Sequence, residues 1–219
     1  MNAALIEEIR SAVTIWGDAN FVDYPWRSTE NPWLALVAEV LLQRTNAKHV
    51  AARWEKIEKR WPTPESVLEA SDEELAQIDQ QFGLNRRATT LRAVAEHLDT
   101  CDHYLLEEQE LLAIYGIGHY TASAYLSLHM NRRAVLFDAN VARWLSRLMG
   151  IPKPKDLRQP CPQRELAGSL TPGRGFRAYN YAVLDLTMQV CRSGQPRCAA
   201  CPLSSKGLCE YQRTALSAE

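Results

Sequence analysis

Apolar positions recur at helical spacing along almost the whole chain. Leu5, Ile9, Val13 and Trp16 predict a first amphipathic helix over 3–16, ending near Gly17. The stretch from Trp33 to Gln43 reads WLALVAEVLLQ and is apolar nearly all round, so it predicts a buried helix. Glu39 is the one carboxylate that helix carries inward. Burying it ionised and alone is costly, so it must find a partner, take up a proton or line a cavity; a structural ion pair is the plainest of these outcomes. Before that helix, Tyr24-Pro25-Trp26-Arg27-Ser28 predicts an extended segment fixed by proline and leading through Asn31-Pro32. Further helices are expected at 47–60, 64–70, 72–80, 86–98, 162–170 and 177–190. Thr63-Pro64 reads as a cap with proline in the first turn, and Ser71 to Glu74 as a capping box.

The most informative stretch runs from Leu111 to Leu145. Leu111, Leu112, Ile114 and Tyr115 close one helical face, Gly116-Ile117-Gly118 breaks it, and Thr121, Ala122, Ala124, Tyr125 and Leu128 resume the repeat. This is a helix-hairpin-helix pattern. Its glycines can take positive φ and expose successive N–H groups before a helix N-terminus, which suits a phosphate. After Asn131-Arg132-Arg133 and the apolar run from Ala134 to Phe137 comes Asp138, directly before the helical pattern of Val141, Trp144 and Leu145. An ordinary N-cap is the plain reading of that aspartate. Phe82 to Arg87 predicts a glycine turn with an apolar tip at Leu84 beside two arginines, either a helix C-cap or a wedge for a base stack. Residues 151–162 are proline-rich and irregular, and Asp185, in an apolar helix, reads as structural, with an arginine its expected partner.

Composition changes this picture in two places. The net charge of −1 is bland, but residues 111–209 carry 13 Lys and Arg against 4 Asp and Glu, a balance of +9 that leaves −10 for the rest. Such asymmetry is what a one-faced anion-binding surface needs. The beginning of the chain is acidic and poor in apolar residues, and the densest apolar run is interrupted by Glu39, so a soluble intracellular protein is expected. Cys191, Cys198, Cys201 and Cys209 give C-x6-C-x2-C-x7-C, with Cys101 and Cys161 outside it. In a reducing compartment this reads as a metal site rather than disulfides. One Cys-x2-Cys with longer arms suits an iron–sulfur cluster and two knuckles suit zinc, so spacing leaves both open.

Four pieces stand in one order: PWR with ENP before the second helix, AEVLLQRTNAKHV, the GIG hairpin followed by FDANVAR, and the last four cysteines. With them the chain resembles, over about 18–211, the helix-hairpin-helix base-excision glycosylases with an iron–sulfur loop, the group of endonuclease III, A/G-specific adenine glycosylase and G/T mismatch thymine glycosylase. The resemblance implies an all-α fold of two helical lobes. One is a six-helix barrel over 28–133 with the hairpin at 107–130; the other joins 1–27 to 134–219 and carries the cluster loop 191–209. It implies a 4Fe–4S cluster on the four cysteines, now favoured over zinc, and a monovalent cation at the hairpin. It makes Asp138 the carboxylate that stabilises an oxocarbenium-like sugar, Asn140 its orienting neighbour and Glu39 the group that hydrogen-bonds or protonates the departing base. Tyr120 falls where endonuclease III has its Schiff-base lysine, so a monofunctional enzyme is expected, with Tyr120 lining the base pocket and helping to orient Glu39. Gln43, Arg44, Gly116, Gly118 and His119 become DNA contacts, Gln43 filling the hole left by a flipped nucleotide and Leu84 wedging the other strand.

The expected substrate is thymine or uracil opposite guanine. The alternatives are adenine opposite guanine or oxidised guanine and, from another class, a catalytically silent DNA-binding module. The expected partner is duplex DNA with a mismatched or damaged base, bound by a cytoplasmic, nucleoid-associated monomer that does not engage membranes. Three features depart from the family pattern: Tyr115 replaces a proline, the 83–88 loop is one residue short, and the last cysteine gap is seven residues rather than five.

Overall fold

The computed structural model describes residues 2–82, 86–100 and 106–216. Thirteen α-helices stand among them: α1 Ala3–Asn20, α2 Pro32–Leu42, α3 Ala47–Ala51, α4 Trp54–Arg60, α5 Pro64–Leu68, α6 Asp72–Phe82, α7 Arg87–Asp99, α8 Glu108–Ala113, α9 His119–Ala124, α10 Ala139–Met149, α11 Pro162–Leu170, α12 Phe176–Gln189 and α13 Glu210–Leu216. A π-helical turn, Tyr125–His129, extends α9, and short 3-10 turns occupy Pro25–Arg27 and Cys198–Ala200. No strand occurs among the described residues, so the fold is all-α.

Several elements differ from the sequence reading for physical reasons. Helix α1 runs through Gly17 to Asn20. A Cβ on Gly17 would stand 2.2 Å from the Ala182 Cβ of α12, so this glycine permits a close helix crossing rather than ending a helix. The expected helix over 47–60 is two helices, α3 and α4, with the break at Ala52-Arg53. Pro25–Arg27 is a 3-10 turn rather than extended chain, closed by the Arg27 N–H donating to the Tyr24 carbonyl (2.9 Å), with the Trp26 ring stacked on Tyr24.

The chain divides into two compact units, residues 23–132 and residues 1–22 with 133–219. The first is built around α2, buried at every position from Trp33 to Leu41. Asn31 caps α2 by accepting from the Trp33 and Leu34 N–H groups, and the Trp33 indole donates to the Trp61 carbonyl (3.0 Å). Helices α3, α7 and α9 and the π turn pack around it. Ser71 and Glu74 form the reciprocal capping box at the start of α6.

In the second unit α1 lies along α12, and α10 packs against α11, α12 and α13. Ile9, Val13, Val141, Leu145, Leu170 and Leu186 form the centre of its core. Helix α10 ends at Gly150, whose φ of +67° lets Gly150 and Ile151 turn their N–H groups back on the last carbonyls. Asp185 is wholly buried and accepts from the Val22 N–H (3.2 Å).

Candidate active site

The hairpin belongs to the 23–132 unit and joins α8 to α9. Its two glycines have different duties. Gly116 has φ +84°, and a Cβ there would meet the Thr90 side chain at 2.0 Å, so both backbone and packing exclude other residues. Gly118 is extended, contrary to the expectation of positive φ, and a Cβ there would point into open space. Its lack of a side chain leaves the approach to the α9 N-terminus clear. Ile117 anchors the turn in the core, while Tyr115 is 53% exposed and His119 is mostly exposed, 3.9 Å from Glu108.

Gln43 follows α2 and folds back on the hairpin, its amide Nε2 donating to the Gly116 carbonyl (3.1 Å) and the Thr121 hydroxyl (3.3 Å). Arg44 is exposed and held in the left-handed region at φ +54°. A non-glycine residue persists there only when its surroundings over-determine it. Arg87 is that restraint: buried, it donates to the carbonyls of Gln43 and Phe82 and to the Thr45 hydroxyl. One of the two arginines read beside the Phe82 turn is thus structural. Leu84 lies outside the described residues.

Glu39 is 4% exposed and points from α2 at a residue the sequence reading passed over. His129 Nε2 lies 3.0 Å from Glu39 Oε1, and the imidazole side chain is 1% exposed. His129 closes the π turn, in which the Met130 N–H reaches the Tyr125 carbonyl five residues back (3.1 Å). A signal for it existed, since His129 follows Tyr125 by four and Leu128 by one, a polar residue on the apolar stripe. Tyr120, half-buried on α9, belongs to the same unit.

Asp138 belongs to the other unit and is the N-cap of α10. Its Oδ1 accepts from the backbone N–H groups of Asn140 (2.9 Å) and Val141 (2.7 Å), and its Oδ2 from the Asn140 side-chain amide (2.9 Å). Asn140 is oriented in turn by Arg143, whose Nη1 donates to Asn140 Oδ1 (2.9 Å). Arg143 is buried and fixed by the Cys191 and Thr187 carbonyls. Burial pulls its pKa down, and the Cys191 and Asp138 charges pull it back up. The carboxylate is therefore tied, through two side chains, to the first cysteine of the C-terminal loop.

That loop gathers all four cysteines, Cys191, Cys198, Cys201 and Cys209, into one apolar pocket with Trp144, Val190 and Leu203. Arg147 of α10 borders it, donating to Cys191 Sγ (3.4 Å) and to the Arg192 and Gly194 carbonyls. Burial pushes the thiols of Cys198, Cys201 and Cys209 up, Cys201 to about 11, and neighbouring cysteines add to this. Such a donor set gives up its protons readily only to a centre of positive charge. Among the described residues no three His, Cys, Asp or Glu side chains are set as ligands of a metal ion, so it is the shared pocket, not ligand convergence, that the thiols offer.

Residues 37–162 match the family model of the HhH-GPD superfamily base excision DNA repair proteins. The chain belongs to that superfamily. Among curated HhH-GPD relatives, a thymine/uracil-DNA glycosylase of Pyrobaculum aerophilum is 33% identical over 94% of this chain and 93% of its own. An adenine DNA glycosylase of Mycobacterium tuberculosis is 32% identical over 86% of this chain, which spans only 63% of that longer protein. Among solved structures, a thermostable thymine-DNA glycosylase matches with a TM-score of 0.85 and 27% identity over 96% of this chain and 98% of its own. No helix among the described residues is long and apolar enough to cross a membrane.

Proposed function

We propose that this HhH-GPD protein is a monofunctional mismatch-specific DNA glycosylase that hydrolyses the N-glycosidic bond of thymine or uracil opposite guanine. The observation that carries the reading is the clamp on Asp138. A carboxylate that accepts three hydrogen bonds at a helix N-terminus is a fixed, pre-oriented negative group, the feature an oxocarbenium-like transition state requires. Full-length similarity to the Pyrobaculum thymine/uracil enzyme supports the substrate.

Within this reading Asp138 stabilises the sugar cation, Asn140 and Arg143 hold its orientation, and Glu39 hydrogen-bonds or protonates the departing base. Water is the final acceptor, because the phenol of Tyr120 supplies no amine for an imine with the sugar. Gln43 leaves Gly116 and Thr121 to fill the space of the extruded nucleotide, while Gly116, Gly118, Arg44 and His119 contact the strand; a monovalent cation at the hairpin belongs to the same reading. Cys191, Cys198, Cys201 and Cys209 would hold a 4Fe–4S cluster, which supplies cross-linking of the loop when bound. The protein acts on duplex DNA as an intracellular monomer.

A second reading, adenine opposite guanine or oxidised guanine, is favoured by similarity to the mycobacterial adenine enzyme. One experiment separates them: duplexes with G·T, G·U, A·G and A opposite oxidised guanine, each incubated with enzyme and then treated with hot alkali. Alkali-dependent breaks at G·T and G·U are expected. Breaks at adenine alone transfer the substrate to the second reading. Breaks without alkali overturn monofunctional action, and no breaks at all leave a silent DNA-binding module.

A further inference from the structure

We infer that His129 is the positioning residue for Glu39: its Nε2 fixes Glu39 Oε1 and so presents the other carboxylate oxygen to the departing base. This rests on the reading of Glu39 given above. A glutamate side chain has three rotatable bonds, and a carboxyl group that swings among rotamers cannot hold a base at hydrogen-bond distance. The α2 residues on either side of Glu39 are apolar and buried, and such side chains can exclude water but cannot orient a carboxylate. Among the described residues the polar contact to Glu39 comes from His129, at 3.0 Å, between two side chains almost wholly withdrawn from solvent.

Two features set His129 apart from a histidine that merely fills the core. The first is its backbone. The chain from Tyr125 to His129 is wound as a π turn, a geometry uncommon in helices and frequent at functional sites, and the turn packs on α2. The second is the unequal fate of its ring nitrogens. Nε2 is engaged, whereas Nδ1 is buried without a hydrogen-bond partner among the described residues. A structural imidazole is stabilised best when both nitrogens are satisfied, and leaving one orphaned costs stability. An arrangement that leaves Nδ1 orphaned and keeps only the contact to Glu39 serves Glu39, not the core.

The test compares two amides that differ by one methylene. The side-chain nitrogen of His129→Gln reaches the position of Nε2, while that of His129→Asn stops near Nδ1. Excision is measured under single turnover on the mismatched duplex that the panel selects, alongside mismatch affinity and melting temperature. His129→Asn is expected to lose about 30-fold in rate with affinity unchanged, and His129→Gln to stay within about 3-fold of the parent, the scale of a misplaced reacting group. In a Glu39→Gln background the histidine substitutions should cost nothing more, because His129 acts only through that carboxylate. Equal rates for the two amides, a loss shared by rate and affinity, or additive losses in the double variants overturn the inference. If Glu39→Gln alone keeps the parental rate, the role given to Glu39 falls. If it is slow while His129→Asn is not, the positioning role alone falls.

Discussion

Two carboxylates, one in each compact unit, sit in opposite surroundings. Asp138 is half-buried and ringed by donors: two backbone N–H groups and a side-chain amide converge on its two oxygens. Glu39 is buried on an apolar helix and, among the described residues, its polar contact is one imidazole nitrogen. The donors around Asp138 hold a negative charge in place and offer no acceptor for a proton. An imidazole can give or take one. The contrast matches the division of labour proposed above, a fixed anion for the sugar and an exchangeable proton site for the base.

The sharpest way to break that contrast is Asp138→Asn. Asparagine is as good an N-cap as aspartate, so α10 should stay folded, yet the charge is gone. Single-turnover excision should fall by about 10³-fold with mismatch affinity retained; a variant that stays active would sink the role of Asp138. Glu39→Gln keeps the shape and loses the exchangeable proton, and should cost about 10²-fold in the same assay. Arg143→Met should act more gently. It frees Asn140 to rotate and strands the Cys191 and Thr187 carbonyls, lowering the rate by roughly 10-fold and unfolding stability by about 2 kcal/mol in a denaturant titration. A rate unchanged by that substitution would mean the backbone N–H groups alone orient Asp138.

The smallest effect concerns pH. Burial raises the phenol of Tyr179 in one unit and of Tyr125 in the other above the ordinary tyrosine value. The unfolded chain then releases those protons first, so their share of stability is complete below about pH 10 and declines as pH rises beyond it. Tyr179→Phe should flatten that alkaline decline in thermal melts, and an unaltered slope would assign it to other groups.

Much of the fold is legible in the sequence. The apolar run in α2 already demanded a buried helix, and the order of PWR, the hairpin, FDANVAR and four cysteines already pointed to the superfamily that the family match establishes. Gly17 shows where local reading stops. Glycine disfavours helix in isolation, but α1 continues through it because contact with Ala182 rewards a missing side chain. Arg87 read as one of two basic residues beside a loop and is instead the buried clamp of the Gln43–Thr45 turn.

Sequence by itself determined the helical content, the superfamily, the buried carboxylate on α2 and the cap at Asp138, because each is written in local spacing or in a contiguous motif. Only the tertiary structure decided what those groups touch. His129 stands 90 positions from Glu39, and Arg143 must reach across to α12 and the start of the cysteine loop before it can steer Asn140. Helical periodicity governs which way a side chain points, whereas the identity of its partner depends on how separate helices pack, and no local pattern carries that.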